Sequence, residues 1–185
     1  MKDNYYEEAK MIKKLNNQLT YLINEYTNLN AIDEDANLIL NYVWLGNYHV
    51  AHDFNFVVSA KIKYIINATT NVSNKFNFVD YTNFIIEDED ACHENLLNMI
   101  NYGADVINEA IKEKQSILVH CKKGHHRSAT IIVFYLMKYK NMPLIDAVCL
   151  IKKIRPNAFK RMTCMLRTLI YYECMRIQVT KHYLG

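Results

Sequence analysis

An α/β domain built on a small, mainly parallel sheet flanked by helices, with an extra N-terminal helix in front, is the fold class this sequence predicts. Three observations lead there. Short apolar runs of strand length recur down the chain: Leu38-Ile39-Leu40, Val43-Trp44-Leu45, Tyr64-Ile65-Ile66-Asn67, Tyr81 to Ile86 and Ser116 to His120. Between and after them stand longer stretches whose apolar residues follow a helical period, an alternation that suits parallel strands with helical crossovers. One apolar run, Ser116-Ile117-Leu118-Val119, passes straight into a helical pattern through a short loop containing a glycine. In such sheets ligand sites form at the carboxyl ends of strands.

The elements follow in order. From Tyr5 to Tyr26 the apolar residues Tyr5, Ala9, Ile12, Leu15, Leu19, Leu22, Ile23 and Tyr26 share one helical stripe, with Lys10, Lys13, Lys14 and Asn17 on a polar face. This predicts a helical extension over residues 1–30 and a single domain over residues 31–185. An acidic linker, Ile32 to Asn37, enters a strand pair at Leu38–Leu40 and Val43–Leu45. A helix near Val50 to Ser59, the strand Tyr64–Asn67, a polar loop and the strand Tyr81–Ile86 come next. The acidic run Glu87-Asp88-Glu89-Asp90 opens a helix from about His93 to Lys114, where carboxylates suit the helix N-terminus. After the 116–120 strand, helices are expected over 128–140, 143–154 and 159–179, with Pro143 in the first turn of the second.

With 185 residues, 51% hydrophobic and 22% charged, the chain reads as one soluble globular domain with a continuous core. No apolar run approaches a membrane span, and the N-terminus, Met1 to Glu8, is no signal peptide. Five cysteines, an odd number without framework spacing, suggest reduced thiols, hence the cytoplasm or another reducing intracellular compartment. The net charge of +3 favours anionic substrates without implying a nucleic-acid partner.

The loop His120-Cys121-Lys122-Lys123-Gly124-His125-His126-Arg127-Ser128 carries the chemistry. A buried strand turning sharply into a helix aims the intervening backbone N–H groups at one point. Those donors, the helix N-terminus and Arg127 make an anion site sized for phosphate. The same field holds Cys121 as thiolate, ready to attack phosphorus. The planar fork of Arg127 binds two phosphoryl oxygens, a geometry lysine does not copy. In a chain with only four glycines, Gly124 is expected to serve a positive φ or a close approach to the ligand. Ser128 has a second reading as N-cap of the following helix. His120, Cys121, His125 and His126 lack a second Cys/His pair at metal-ligand spacing, and Arg127 beside them disfavours a cation, so neither metal nor cofactor is expected.

His120-Cys121-x5-Arg127-Ser128 resembles the signature of the cysteine-based protein phosphatases, and the short chain resembles their dual-specificity branch, in its compact poxvirus-type form. Val43-Trp44-Leu45-Gly46-Asn47-Tyr48, Ile65-Ile66-Asn67-Ala68-Thr69 and Tyr81-x2-Phe84-Ile85-Ile86-Glu87-Asp88 look like further segments of that family, so the resemblance runs from about Leu38 to Tyr172. It implies the cysteine-phosphatase fold and hydrolysis of phosphotyrosine and phosphoserine or phosphothreonine in proteins through a phosphocysteine on Cys121. It implies that His120 shapes the loop, that Ser128 stabilises the departing thiolate, and that Asp88 is the general acid and base, with Asp90 the runner-up. Residues Cys121, Lys122, Lys123, Gly124, His125, His126 and Arg127 would then bind the phosphate. The loop is more basic than usual for protein phosphatases, and Lys160-Arg161 stand where a buttressing Pro-Asn pair is often found. With Lys122 and the run Ile151-Lys152-Lys153-Ile154-Arg155, this also resembles the mitochondrial phosphatidylglycerophosphate phosphatase. The alternatives are thus a phospholipid, phosphoinositide or RNA 5′-phosphate phosphatase, and a catalytically silent phosphate-binding module. The N-terminal helix is expected to pack on its own domain, with a homodimer through this helix as the second option by analogy with the poxvirus-type enzymes. Cys92 lies near the acidic loop, where a protective disulfide with Cys121 is a further option.

Overall fold

The computed structural model describes residues 2–27, 31, 33–86 and 95–184. Its elements are α1 (Lys2–Tyr26), β1 (Ala36–Leu40), β2 (Val43–Gly46), α2 (Tyr48–Ala51), α3 (Phe54–Ser59), β3 (Ile62–Asn67), β4 (Asp80–Asn83), α4 (Leu96–Lys112), β5 (Ser116–His120), α5 (Arg127–Tyr139), α6 (Leu144–Ile154) and α7 (Cys164–Leu184). The five strands form one sheet in the order β1-β2-β5-β3-β4. β5 pairs in parallel with β2 and β3, and β3 with β4, while β1 is antiparallel to β2. The expected α/β class, the mainly parallel sheet and the extra N-terminal helix are all present.

The place of β5 in the sheet explains why its middle, Ile117 to Val119, is an unbroken apolar run. Side chains alternate between the two faces of a strand. Ile117 and Val119 enter the large core shared with α1, α4, α5, α6 and α7, whereas Leu118 joins a smaller cluster with Val50, Val57 and Ile65 on the other face. A central parallel strand covered on both sides is apolar through its middle, and the polar Ser116 and His120 stand at its two ends. α4 and α5 lie close because Gly103 presents no side chain: a Cβ there would stand 2.7 Å from Ile131 Cγ2. α1 turns its stripe inward, with Leu15, Leu19, Leu22 and Ile23 in the main core. The helix therefore packs on its own domain, as expected.

Four element boundaries differ from the sequence reading. The helix expected near Val50–Ser59 is two, because the Asp53 carboxylate accepts from Asn55 N and Phe56 N and starts a new helix. Pro143 sits at ψ 146° immediately before α6 rather than within its first turn. The strand expected through Ile86 stops at Asn83. The helix expected from Phe159 begins at Cys164, since Phe159 N donates to His125 O and Thr163 Oγ1 takes the capping role by accepting from Leu166 N.

Candidate active site

Parallel pairing brings Gly46 of β2 and Asn67 of β3 level with His120 of β5, so the carboxyl ends of three strands form one ledge. His120 O accepts from Ala68 N at 2.9 Å, and the chain then leaves the sheet as the loop 121–126 and enters α5 at Arg127. Gly124 adopts φ +69°, the left-handed conformation expected of it, and a Cβ there would stand 2.6 Å from Gly46 O.

Cys121 lies at the foot of this loop, 3% exposed. Burial alone would raise its thiol. The Ser128 hydroxyl, 3.3 Å from Sγ, the Ser128 and Gly124 N–H groups and the charge of Arg127 outweigh that and hold it below the usual thiol range. Ser128 is the second residue of α5 and turns to the sulfur; its alternative reading as N-cap is not what the structure has, because His126 occupies that position. Arg127 is buried, and its Nη1 donates to Ile86 O at 3.2 Å, tying the loop to the segment that leads to Asp88. Asp88 itself, with Asp90 and Cys92, lies outside the described residues. His120 is buried, and desolvation, with the charge of Arg127 acting the same way, pushes its imidazole down to about 4, so it is neutral at physiological pH.

The loop opens into a cleft of about 390 Å³ lined by Cys121, Lys122, Lys123, His125, His126, Arg127, Lys160 and Arg161. The expected basic residues thus border the cysteine, and no carboxylate stands among the described residues of that lining. His125 also reaches outward, its Nε2 2.5 Å from Asp33 Oδ2. Burial outweighs that carboxylate and leaves the imidazole below its ordinary value. Among the described residues no group of three or more His, Cys, Asp or Glu side chains stands where it could hold a metal ion. Such a cleft can bind a tetrahedral dianion and set a thiolate in line with it.

Sequence reasoning gave Asp33 no part in this site and used Arg155 only as one letter of a resemblance. Arg155 lies directly beneath the loop, bonded to the carbonyls of Lys123 and Gly124. Nothing in the local pattern of α6 marks it, since its partners come from distant segments.

Comparison with known proteins gives consistent matches. The family described as "Dual specificity phosphatase, catalytic domain" matches residues 43–175. The chain is 34% identical over 120 residues to dual specificity protein phosphatase 7 of Homo sapiens, covering 64% of this chain and 29% of that protein. It is 32% identical over 135 residues to dual specificity protein phosphatase 14 of Mus musculus, covering 73% of this chain and 67% of that protein. The chain therefore spans less than a third of the first of these relatives. Among solved structures, human DUSP28 superposes with a TM-score of 0.70 at 18% identity, covering 80% of this chain and 97% of that one. PTPMT1 in complex with PI(5)P superposes at 0.64 and 19% identity, covering 80% and 99%. These two similarities concern the fold.

Proposed function

This chain belongs to the dual-specificity phosphatase family, and from that premise we propose that it hydrolyses phosphotyrosine and phosphoserine or phosphothreonine in proteins, without a metal, through a phosphocysteine. The observation that carries this reading is a buried cysteine whose sulfur is held below the ordinary thiol range by Ser128 and Arg127 at the foot of a cation-lined cleft. Arg127 and the loop N–H groups hold the phosphoryl oxygens while Cys121 Sγ attacks phosphorus. The S–P bond forms as the P–O bond to the leaving group breaks, and Asp88 gives that oxygen its proton. Water, deprotonated by the same carboxylate, then attacks the phosphocysteine. Inorganic phosphate departs and the Cys121 thiolate is restored, stabilised by the Ser128 hydroxyl.

A second reading has an observation of its own. Lys160 and Arg161 border the cleft together with Lys122 and Lys123, and clustered cations sum their potentials on a highly charged headgroup. A phospholipid or phosphoinositide substrate fits that field, and PTPMT1 is a protein of this fold solved with PI(5)P. The test is phosphate release by wild type and Cys121→Ser in the presence of chelator, on phosphotyrosine and phosphothreonine peptides and on phosphoinositide vesicles. Cys121-dependent release from both peptides is expected. Release from vesicles alone would replace the protein reading with the lipid one, and binding without release would leave a phosphate-binding module.

A further inference from the structure

The guanidinium of Arg155 makes four hydrogen bonds near the site, yet it does not line the phosphate cleft. It is 1% exposed. Its Nε donates to Gly124 O and its Nη2 to Lys123 O, both at 3.0 Å. Its Nη1 donates to Glu34 O and to Asn37 Oδ1, both at 2.7 Å. One planar cation thus spans two consecutive peptide units of the loop and the segment that follows α1.

The geometry of a trans peptide gives this a consequence. Its C=O and N–H point in opposite directions. Turning the Lys123 carbonyl down onto Arg155 turns the Gly124 N–H up, and that N–H donates to Cys121. The Gly124 carbonyl, fixed in the same way, orients the His125 N–H. A cation bonded to a carbonyl also polarises the amide and strengthens its N–H as a donor. The loop is pressed onto this support, since a Cβ on Gly124 would come within 3.0 Å of Arg155 Nη2. Asp33 adds a second tether from the same segment through His125. Residues 33–37 precede the stretch matched by the family, which starts at residue 43.

We infer that Arg155 is a positioning residue, which aims and polarises the loop N–H groups that hold the Cys121 sulfur and the phosphate, and that residues 33–37 keep it in place. This rests on the reading of Cys121 as nucleophile. Arg155 acts through the Lys123–Gly124 and Gly124–His125 peptides and does not touch the substrate.

The test uses the full chain, and its deciding readout needs no turnover. Alkylation of Cys121 by iodoacetamide is followed against pH by peptide mass spectrometry, with thermal unfolding and p-nitrophenyl phosphate kinetics beside it. In Arg155→Met the alkylation midpoint should rise by about one pH unit, a tenfold loss of thiolate below it. KM should rise with it. Arg155→Lys, which keeps the charge without the planar fork, should fall between wild type and Met. Asn37→Ala, which removes one outer acceptor, should shift the midpoint the same way by less, at nearly unchanged melting temperature. A folded Arg155→Met with an unmoved midpoint overturns the inference. Should that variant fail to fold, an unmoved midpoint in Asn37→Ala does so instead. A midpoint that moves in a protein whose wild type releases no phosphate would leave the positioning role standing and remove the phosphatase reading.

Discussion

Ser128 Oγ stands 3.3 Å from Cys121 Sγ, closing the buried base of the loop that runs between them. The contact joins the first residue past β5 to the second residue of α5, so the start of that helix registers the nucleophile. A hydroxyl there donates to a thiolate and has nothing comparable to offer a phosphorylated sulfur. Its effect therefore appears whenever sulfur carries charge.

Ser128→Ala should slow the second chemical step most, where the thiolate is expelled. Removing one donor aimed at developing charge lowers turnover by about a hundredfold in comparable sites. Rapid-quench kinetics should then show a burst of leaving group followed by a slower steady state. Equal slowing of burst and steady state would contradict the assignment.

Asp88→Asn should impair aryl phosphates with poor leaving groups by about a hundredfold or more, while p-nitrophenyl phosphate, whose leaving group needs little protonation, loses much less. Asp90→Asn is the paired control. A leaving-group dependence that appears in Asp90→Asn and not in Asp88→Asn would transfer the role.

His120 makes the fold sensitive to acid. Its folded-state value of about 4 lies below the ordinary 6.5, so the unfolded chain binds more protons between those values and stability falls as pH drops through that window. The full loss below pH 4 is about 3 kcal/mol for this group. Urea melts at pH 7, 5.5 and 4.5 should show the decline, and His120→Asn should flatten it.

Leu19 is fully buried in the core through which α1 joins the body. Leu19→Ala should cost about 2–5 kcal/mol. Because the helix packs within its own chain, the melting temperature of wild type and variant should stay constant from micromolar to hundreds of micromolar protein, and light scattering should give the mass of one chain. A melting temperature that climbs with concentration would point to a homodimer through this helix.

Much of the site was legible because it is contiguous. His120 to Ser128 combine strand, loop and helix start in nine residues, and local periodicity identifies each part. Four of the five strands were likewise visible as apolar runs, whereas β4, Asp-Tyr-Thr-Asn, lies just before the apolar residues that suggested it. What was not legible depends on partners far along the chain. Arg155 sits in a helix end that reads as amphipathic, and its burial is decided by carbonyls 31 and 121 residues away. Lys152, legible in the sequence only as part of the Ile151–Arg155 run, is buried and donates to Thr27 Oγ1, Pro156 O and Ala158 O. The late start of α7 has the same origin, because the Phe159 N–H is drawn to His125 O. Ser128 shows the converse limit: its residue type suits a cap, and only the position of the sulfur shows where the hydroxyl turns.

The placing of β5 at the middle of the sheet, with β2 on one side and β3 on the other, bears on how this protein fails. Its backbone cannot be peeled from an edge, so Ile117, Leu118 and Val119 exchange their amide hydrogens only when the whole domain opens. Wear at the far edge, by fraying of β4 or by a proteolytic nick beyond it, leaves intact the strand that leads into Cys121. Heat should thus extinguish the nucleophile's reactivity in one step with the collapse of the domain, and a partly worn molecule should still hold a live thiolate.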